Sequence, residues 1–153
     1  MDAAERLPPP VRVLNAQGSS PYVLLCEHAS RFIPAQLEGL GLGPEDLSRH
    51  IAWDIGAAEV AEALSRVLDA PLVMAGYSRL LIDLNRPIDS ATSIPEMSET
   101  TVIPGNLDIS AEERARRVVL YFEPYQAAVR QLLDARQAAG RAATGSSCSR
   151  IAR

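Results

Sequence analysis

Three short apolar runs predict the strands of a β-sheet. The first is Tyr22–Cys26, which follows a Gly-Ser-Ser-Pro segment, and the others lie within residues 71–75 and 78–84. The centre of each run is continuously apolar instead of alternating with polar residues. Continuous runs of this length are typical of strands that are buried on both faces of a parallel or mixed sheet.

A second pattern, apolar residues at three- and four-residue spacing, predicts a helix over residues 55–68. Val60, Leu64, Val67 and Leu68 form one apolar stripe along this segment. A stripe of this width is the face that an amphipathic helix usually buries against its domain. We therefore expect these four side chains to pack on the sheet.

A longer helix is expected to begin after Ser110 and to run to about residue 139. Ser110 and Glu113 form a capping box, with the Ser at the cap and the Glu three residues later. Gly140 is a natural stop for the helix. The apolar positions that we expect on its buried face are Val118, Phe122, Tyr125, Val129 and either Leu132 or Leu133.

The order of these elements is that of an α/β domain with a mixed, largely parallel sheet and flanking helices. Two shorter helices are expected over residues 34–40 and 44–51, each with a proline at its opening position. We expect the domain to cover residues 21–140. The Pro-rich residues 1–20 are expected to form a loose arm, and the polar residues 141–153 a disordered tail.

Composition limits the kinds of partner. The chain has 153 residues, a net charge of −4 and no cluster of Lys and Arg, so we expect no binding to nucleic acid. No apolar run is long enough to span a bilayer, and residues 1–10 do not resemble a signal peptide, so we expect no membrane association. The two cysteines, Cys26 and Cys148, form no disulfide framework, which fits a reducing cytoplasm. The oligomeric state is not predicted.

Candidate chemistry follows two of the predicted strands. Glu27 and His28 come directly after the first, and Asp83, Asn85 and Arg86 come at the end of the third. Ligands of open α/β sheets bind beyond the carboxyl ends of strands, so both clusters are candidates for one shared site. A neutral imidazole such as that of His28 can ligate zinc or act as a general base, or it can be a buried side chain bonded to loop backbone.

His50 and Asp54 are four residues apart, which would place them on one face if the segment were helical. Two interpretations stay open. In one, the pair contributes a metal ligand and the residue that orients it. In the other, the pair marks helix ends, with His50 near a C-terminus and Asp54 capping the helix that starts at Ile55.

Arg79 and Arg86 flank the third predicted strand, and Asn85 precedes Arg86. A guanidinium group binds a carboxylate through two parallel hydrogen bonds, so two arginines suit a ligand with two carboxylates. The alternative is a pair of solvated arginines at the ends of a strand. The chain has no Gly-x-Ser-x-Gly elbow, no glycine-rich phosphate loop and no His-Glu-x-x-His motif, so these three classes of site are not indicated.

Five blocks of sequence, in order, resemble the N-formylglutamate amidohydrolase family. They begin at Cys26, His50, Tyr77, Thr101 and Glu123, and read Cys-Glu-His-Ala-Ser, His-Ile-Ala-Trp-Asp-Ile-Gly-Ala, Tyr-Ser-Arg-Leu-Leu-Ile-Asp-Leu-Asn-Arg-Pro, Thr-Val-Ile-Pro-Gly-Asn and Glu-Pro-Tyr. Together they span most of the chain. Any single block would be weak, but their order makes the resemblance specific.

The resemblance implies a fold of the phosphorylase/hydrolase type, similar to zinc carboxypeptidases and aspartoacylases. It implies hydrolysis of the N-formyl, or another N-acyl, amide of an acidic amino acid, which makes a small N-acyl amino acid the expected partner. Zinc is the implied cofactor, with His28 and Asp54 as ligands. Arg79, Asn85 and Arg86 are implied to bind the substrate, and His50, Ser30 and Asp83 are placed beside these groups to orient them.

One departure from the family points to a different outcome. Family members continue after the long helix with a strand that ends in Ser-x-His and supplies a metal-ligating histidine, whereas residues 144–150 here match no such segment and the chain has only two histidines. The sequence therefore predicts a domain that is incomplete at its C-terminus, with weak metal binding and little or no activity. The alternative function is an inactive remnant that at most binds a dicarboxylate. An uncovered sheet edge or face is also expected to lower solubility.

Overall fold

The computed structural model describes residues 7–141 and 144–147. Its strands, in chain order, are β1 (Val11–Leu14), β2 (Tyr22–Cys26), β3 (Leu72–Ala75), β4 (Met97–Ser98), β5 (Thr101–Val102) and β6 (Thr144–Ser147). Its α-helices are α1 (Pro44–Ser48), α2 (Ala57–Leu68), α3 (Ala111–Arg117) and α4 (Glu123–Ala138). Segments of 3-10 helix cover Ala35–Gly41 and Pro104–Asn106, and a π-type turn over Val118–Phe122 joins α3 to α4.

Four strands form one mixed sheet in the order β1-β3-β2-β6. β2 pairs in parallel with β3 on one side and with β6 on the other, whereas β1 runs antiparallel to β3. The predicted α/β class with a largely parallel sheet is confirmed. The short strands β4 and β5 form a separate hairpin within the long loop that precedes α3.

Both faces of the central strands are buried, as the continuous apolar runs predicted. Successive side chains of a strand point to opposite faces. Val23 and Val73 therefore join the core under α4, while Leu24 and Leu72 join the core under α2. No helix of the described residues is long and apolar enough to cross a membrane.

The third predicted strand, residues 78–84, was wrong. The run is buried, as its apolar residues require, but it follows a series of turns. The N–H of Leu81 donates to the carbonyl of Ser78, and the N–H of Leu80 donates to the Ser78 hydroxyl. Because these local hydrogen bonds turn the backbone, it cannot form a strand ladder.

The stripe predicted to bury α2 was wrong for Val60, Val67 and Leu68, although Leu64 does pack against the core. The buried face of α2 is made by Ala57, Ala61 and Ser65, which allow the helix axis to come close to the sheet. Val60 is 51% exposed and Val67 is 81% exposed. The small residues Ala57, Ala61 and Ser65 also recur at helical spacing, so spacing alone does not show which face of α2 is buried. The face with the small side chains is the one that contacts the sheet.

Two other expectations changed at the ends of the chain. Residues 11–14, placed in a loose arm, form β1 and pair with β3. Residues 144–147, placed in a disordered tail, form β6 and pair with β2, so the sheet extends beyond the predicted boundary at residue 140. The rest of that tail lies outside the described residues.

The one long helix predicted after Ser110 was confirmed at both ends, but the π-type turn at Val118–Phe122 divides it into α3 and α4. The Ser110 hydroxyl accepts a hydrogen bond from the N–H of Glu113, and α4 stops just before Gly140, which has a φ of 68°. Tyr125 and Leu132 are buried, and the other predicted positions pack against the same core. The two short helices are shorter or tighter than predicted: a 3-10 segment at Ala35–Gly41 and α1 at Pro44–Ser48.

Candidate active site

His28 is buried at the end of β2 and lies between two carboxylates. Its exposed fraction is 2%. Its Nε2 atom is 2.8 Å from Oδ1 of Asp83, and its Nδ1 atom is 3.3 Å from Oδ2 of Asp54. The structure therefore brings together three residues that the sequence analysis selected from separate motif blocks.

Arg79 closes this group into a ring. Its Nη1 atom donates to Oδ1 of Asp54 at 3.3 Å, and its Nη2 atom donates to Oδ2 of Asp83 at 3.0 Å. Each aspartate thus binds His28 through one oxygen and Arg79 through the other. We call His28, Asp54, Arg79 and Asp83 the buried cluster. Two carboxylates and one permanent cation give it a negative balance whenever His28 is neutral.

Asp83 shows how the cluster stabilises charge. Burial by itself raises the pKa of this carboxyl group. The hydrogen bond from His28, the electrostatic attraction of His28 and Arg79, and a hydrogen bond from the N–H of Asn85 outweigh burial and hold the pKa below its usual value. Asp83 is therefore a carboxylate at neutral pH despite being 5% exposed at its side chain.

Asp54 is positioned by backbone contacts and does not cap a helix. Its N–H donates to the carbonyl of His28 at 3.0 Å, which fixes the Asp54 loop against the end of β2. The residue at the N-cap of α2 is Gly56, with a φ of 80°, and no side chain caps this helix end. The capping interpretation of Asp54 was wrong, because its carboxylate is engaged by His28 and Arg79.

The turn that carries Arg79 is anchored on both sides. The N–H of Ser78 donates to the carbonyl of Phe32, and the Ser78 hydroxyl donates to the carbonyl of Ala52. These bonds connect the loop after β2 with the loop before α2. Arg79 consequently faces the carboxylates of Asp54 and Asp83 without belonging to a strand.

A buried pair, Asn106 and Arg117, also bonds to this turn, and the sequence analysis missed it. The side-chain amide of Asn106 donates to the carbonyls of Leu80 and Pro95, and its oxygen accepts from Arg117 at 2.7 Å. Arg117, 2% exposed, also donates to the carbonyl of Leu81. The only signal in the sequence was the place of Asn106 in a matching block, which does not reveal its partners.

An open cleft of about 480 Å³ lies over the buried cluster. Asp54 and Arg79 of the buried cluster line it, together with His50, Ile51, Ile55, Ser98 and Glu99. Residues 49–56 form turns between α1 and α2. The predicted helical pairing of His50 with Asp54 was therefore wrong.

His50 is bonded to Glu99, which the sequence analysis did not select. The distance from Nε2 of His50 to Oε1 of Glu99 is 2.8 Å, and Arg49 donates to the other oxygen of Glu99 at 3.1 Å. The hydrogen bond with His50 lowers the pKa of Glu99, and the electrostatic attraction of His50 and of Arg49 adds to this effect. Glu99 lies at the tip of the β4–β5 hairpin, in a loop with no hydrophobic period.

Three other selected residues lie outside this arrangement. Asn85 and Arg86 are exposed, and neither lines the cleft. Backbone N–H groups of both donate to Asp83, but the side chain of Arg86 has no hydrogen bond or ion pair with a described residue. The Ser30 hydroxyl accepts a hydrogen bond from the N–H of Phe32 within its own loop. Ser30 lines a different depression on the surface.

The donor set of the buried cluster fits a metal ion only in part. A neutral imidazole has one N–H, so if Nε2 donates to Asp83, Nδ1 presents a lone pair to the Asp54 oxygen 3.3 Å away. Two facing lone pairs favour a cation, and Asp83 then serves as the carboxylate that orients a ligating histidine. Catalytic zinc usually has three protein ligands, and the described residues contain no group of three His, Cys, Asp or Glu side chains that could hold a metal.

A family model named N-formylglutamate amidohydrolase matches residues 20–149. The chain belongs to this family. The match includes every residue of the buried cluster and of the cleft, and it continues past residue 140, where the sequence analysis expected the resemblance to end. No curated protein matches the chain.

This amidohydrolase-family chain is also similar to two solved structures. A gene product of Agrobacterium tumefaciens is 40% identical and superposes with a TM-score of 0.91 over 94% of this chain. The N-formylglutamate amidohydrolase of Ralstonia eutropha is 26% identical, with a TM-score of 0.57 over 86% of this chain. The chain spans 57% of the length of the first structure and 53% of the second.

Proposed function

We propose that this chain hydrolyses the N-formyl amide bond of N-formylglutamate, or the N-acyl bond of a related N-acyl acidic amino acid. The buried cluster supports the proposal most directly, because it places His28, Asp54 and Arg79 under an open cleft. Family membership supplies the reaction class. We also propose a cytoplasmic location, because the two cysteines form no disulfide framework.

We propose zinc as the cofactor, with His28 and Asp54 as two of its ligands. The support is the facing pair of lone pairs described above, together with the orienting contact from Asp83. When bound, zinc would polarise the scissile carbonyl. Since the described residues offer two donors, we expect the ion to bind weakly and to be needed in the buffer.

Substrate recognition is proposed for Arg79, Asn85 and Arg86. Arg79 lines the cleft and is a fixed positive charge next to it. Asn85 and Arg86 stand on the exposed turn directly after Asp83 and are free of side-chain contacts with described residues that would prevent them from binding a carboxylate. Two guanidinium groups suit the two carboxylates of an acidic substrate.

The test is release of formate from N-formyl-L-glutamate and from N-formyl-L-leucine by the full chain in buffer containing zinc. We expect hydrolysis of the glutamate substrate with a kcat/KM at least about tenfold above that of the leucine substrate, because only the former has a second carboxylate for a guanidinium fork. Arg86→Gln should narrow this difference. Equal rates for both substrates would contradict the proposed specificity.

A second function, binding of a dicarboxylate without catalysis, is favoured by one observation. The described residues lack a complete set of three metal ligands. Calorimetry separates the two functions: saturable binding of N-formyl-L-glutamate without formate release, at any zinc concentration, would support the binding function and contradict hydrolysis.

A further inference from the structure

The His28 ring and the two carboxylates of the buried cluster already have partners within the cluster. Both ring nitrogens of His28 face carboxylates, and both oxygens of Asp54 and of Asp83 face His28 or Arg79. Such a cluster can hold charge, but it has no side chain that is free to exchange a proton with a molecule in the cleft. Hydrolysis of an amide requires that exchange, because water must lose a proton and the leaving amine must gain one.

His50 meets this requirement. Its side chain is 62% exposed and lines the same cleft as Asp54 and Arg79. Its Nε2 atom contacts Glu99, and no hydrogen bond from a described residue reaches its Nδ1 atom. With Nε2–H donated to Glu99, the neutral ring presents the lone pair of Nδ1. Among the described residues that line the cleft, His50 is the one histidine. The other ionisable side chains there, those of Asp54, Arg79 and Glu99, are bonded within the buried cluster or to His50.

Glu99 is held firmly enough to fix the orientation of this ring. Arg49 donates to Glu99, to Asp46 and to the hydroxyl of Thr101 in the next strand of the hairpin. Glu99 itself has a φ of 54°, a left-handed backbone conformation that non-glycine residues adopt infrequently. The hairpin backbone is therefore constrained at the residue that presents its carboxylate to His50.

We infer that His50 transfers the proton in the hydrolysis of the amide and that Glu99 is its positioning residue. The inference rests on the proposed function and assigns a residue to one step of it. His50 is a candidate catalytic residue because its ring lies in the cleft, whereas Glu99 acts through His50. The sequence analysis had placed His50 beside Asp54 as an orienting group, a role that the contact with Glu99 replaces.

Nδ1 of neutral His50 accepts a proton from a water molecule as the water oxygen forms a bond to the formyl carbon. The tetrahedral adduct then breaks its C–N bond, and the proton held on Nδ1 passes to the departing nitrogen. One water is consumed, formate and the free amino acid are released, and His50 returns to its neutral form with the same tautomer.

The charges that face His50 are those of the cleft and of its two flanks. Glu99 lies on the hairpin and Arg49 on the preceding turn, while Asp54 and Arg79 line the same cleft as His50. Glu99 is in direct contact with the ring. Its carboxylate accepts the Nε2–H and so leaves Nδ1 as the nitrogen that carries the lone pair.

The test compares wild type, His50→Gln, Glu99→Gln and Glu62→Gln in the formate-release assay with zinc present. Glu62 forms an exposed ion pair with Arg12, away from the cleft, so it is the matched control. We expect kcat to fall by about 100-fold or more in His50→Gln, in line with the loss of a general base, and by roughly tenfold in Glu99→Gln. Glu62→Gln should match wild type.

Two readouts separate proton transfer from a structural effect. Added imidazole should restore activity to His50→Gly, and Glu99→Asp, which keeps the carboxylate, should recover part of the kcat that Glu99→Gln loses. If wild type releases formate and His50→Gln retains its full kcat, the inference is overturned while the proposed function stands. If wild type releases no formate, both are overturned. Circular dichroism establishes that each variant is folded.

Discussion

Oδ1 of Asp83 lies 2.8 Å from Nε2 of His28, across a separation of 55 residues in the chain. The same oxygen accepts the N–H of Asn85, and the other oxygen accepts a hydrogen bond from Arg79. The contact therefore does two things at once. It connects the end of β2 to the turn that carries Arg79, and it fixes which nitrogen of His28 faces Asp54.

Asp83→Asn should strongly destabilise the domain. The substitution removes a buried charge that His28 and Arg79 both contact, and breaking such a pair costs about 3–5 kcal/mol. Urea denaturation followed by circular dichroism measures the change in the free energy of unfolding. Asp89→Asn is the control, because Asp89 is exposed on the loop that follows. Equal stability of the two variants would contradict the role given to Asp83.

Zinc binding should be weak and should depend on both proposed donors. A structural zinc site with a full ligand set has a binding free energy of about 10–16 kcal/mol, and two donors are expected to give much less. Isothermal calorimetry of the full chain should show a low-affinity event that is lost in Asp54→Asn and in His28→Asn. Tight one-to-one binding by wild type would show that the ligand set is complete.

Asn106→Ala should loosen the turn that holds Arg79. The substitution removes two hydrogen bonds that Asn106 donates to carbonyls and leaves the buried Arg117 without one of its acceptors. At about 1 kcal/mol for each bond, plus the cost of an unsatisfied buried charge, a loss of roughly 3–4 kcal/mol is expected. Thermal and urea denaturation check it, with the exposed Arg116→Gln as the control. An unchanged midpoint would show that the turn does not need this support.

These contacts explain how far the sequence could predict the fold. Tyr22–Cys26 and Leu72–Ala75 are strands because both faces of an apolar run are covered, which the runs themselves indicate. Residues 78–84 have the same kind of composition but form turns. The carbonyls of Leu80 and Leu81 are bonded by side chains 26 and 36 residues away, and no local pattern encodes such partners.

In the candidate site, too, the sequence indicated the residues but not their contacts. His28, Asp54, Arg79 and Asp83 were each selected from the sequence, but their ring of contacts depends on how three loops meet. The four-residue spacing of His50 and Asp54 indicated a shared helical face, whereas the chain forms turns there and His50 reaches Glu99 instead. Glu99 lies in a segment with no hydrophobic period, and its contact with His50 joins residues that are 49 apart in the chain, so nothing local marked it.

The hydrogen bonds that Asp69 accepts near the start of β2 predict that the stability of the domain depends on pH. Hydrogen bonds from the Asn15 amide and from the N–H and hydroxyl of Ser19 lower the pKa of Asp69 from 3.8 to about 2. Because the folded-state value is lower than the unfolded one, this stabilisation is complete above pH 3.8 and is lost as the pH falls toward 2.

Asp69→Asn should therefore be less stable than wild type at neutral pH, and the difference should shrink as the pH falls through that window. Urea denaturation at several pH values measures it. Asp108→Asn is the control, since Asp108 has the same φ of 49° but no side-chain hydrogen bond to a described residue. A difference that persists below pH 2 would show that charge is not its cause.

The exposed stripe of α2 predicts self-association at high concentration. Val60 and Val67 lie on one side of the helix, 51% and 81% exposed, with Leu68 beside them. Contiguous exposed apolar side chains favour association. Val67→Gln should reduce the apparent mass in concentrated samples measured by light scattering, and Ile88→Gln, at an isolated exposed position, should not. Monomeric wild type at all concentrations would contradict this.

The most direct test of the account is formate release from N-formyl-L-glutamate by wild type and by Asp54→Asn, in buffer that contains zinc. Asp54 contacts both His28 and Arg79 and lines the cleft, so the account depends on it more than on any other residue. We predict that wild type releases formate and amino acid in equal amounts and that the variant, which loses a proposed zinc ligand and a partner of Arg79, is slower by about 10- to 100-fold. Equal rates for the two proteins, or no release by wild type, would contradict the assignment of this cluster as the hydrolytic site.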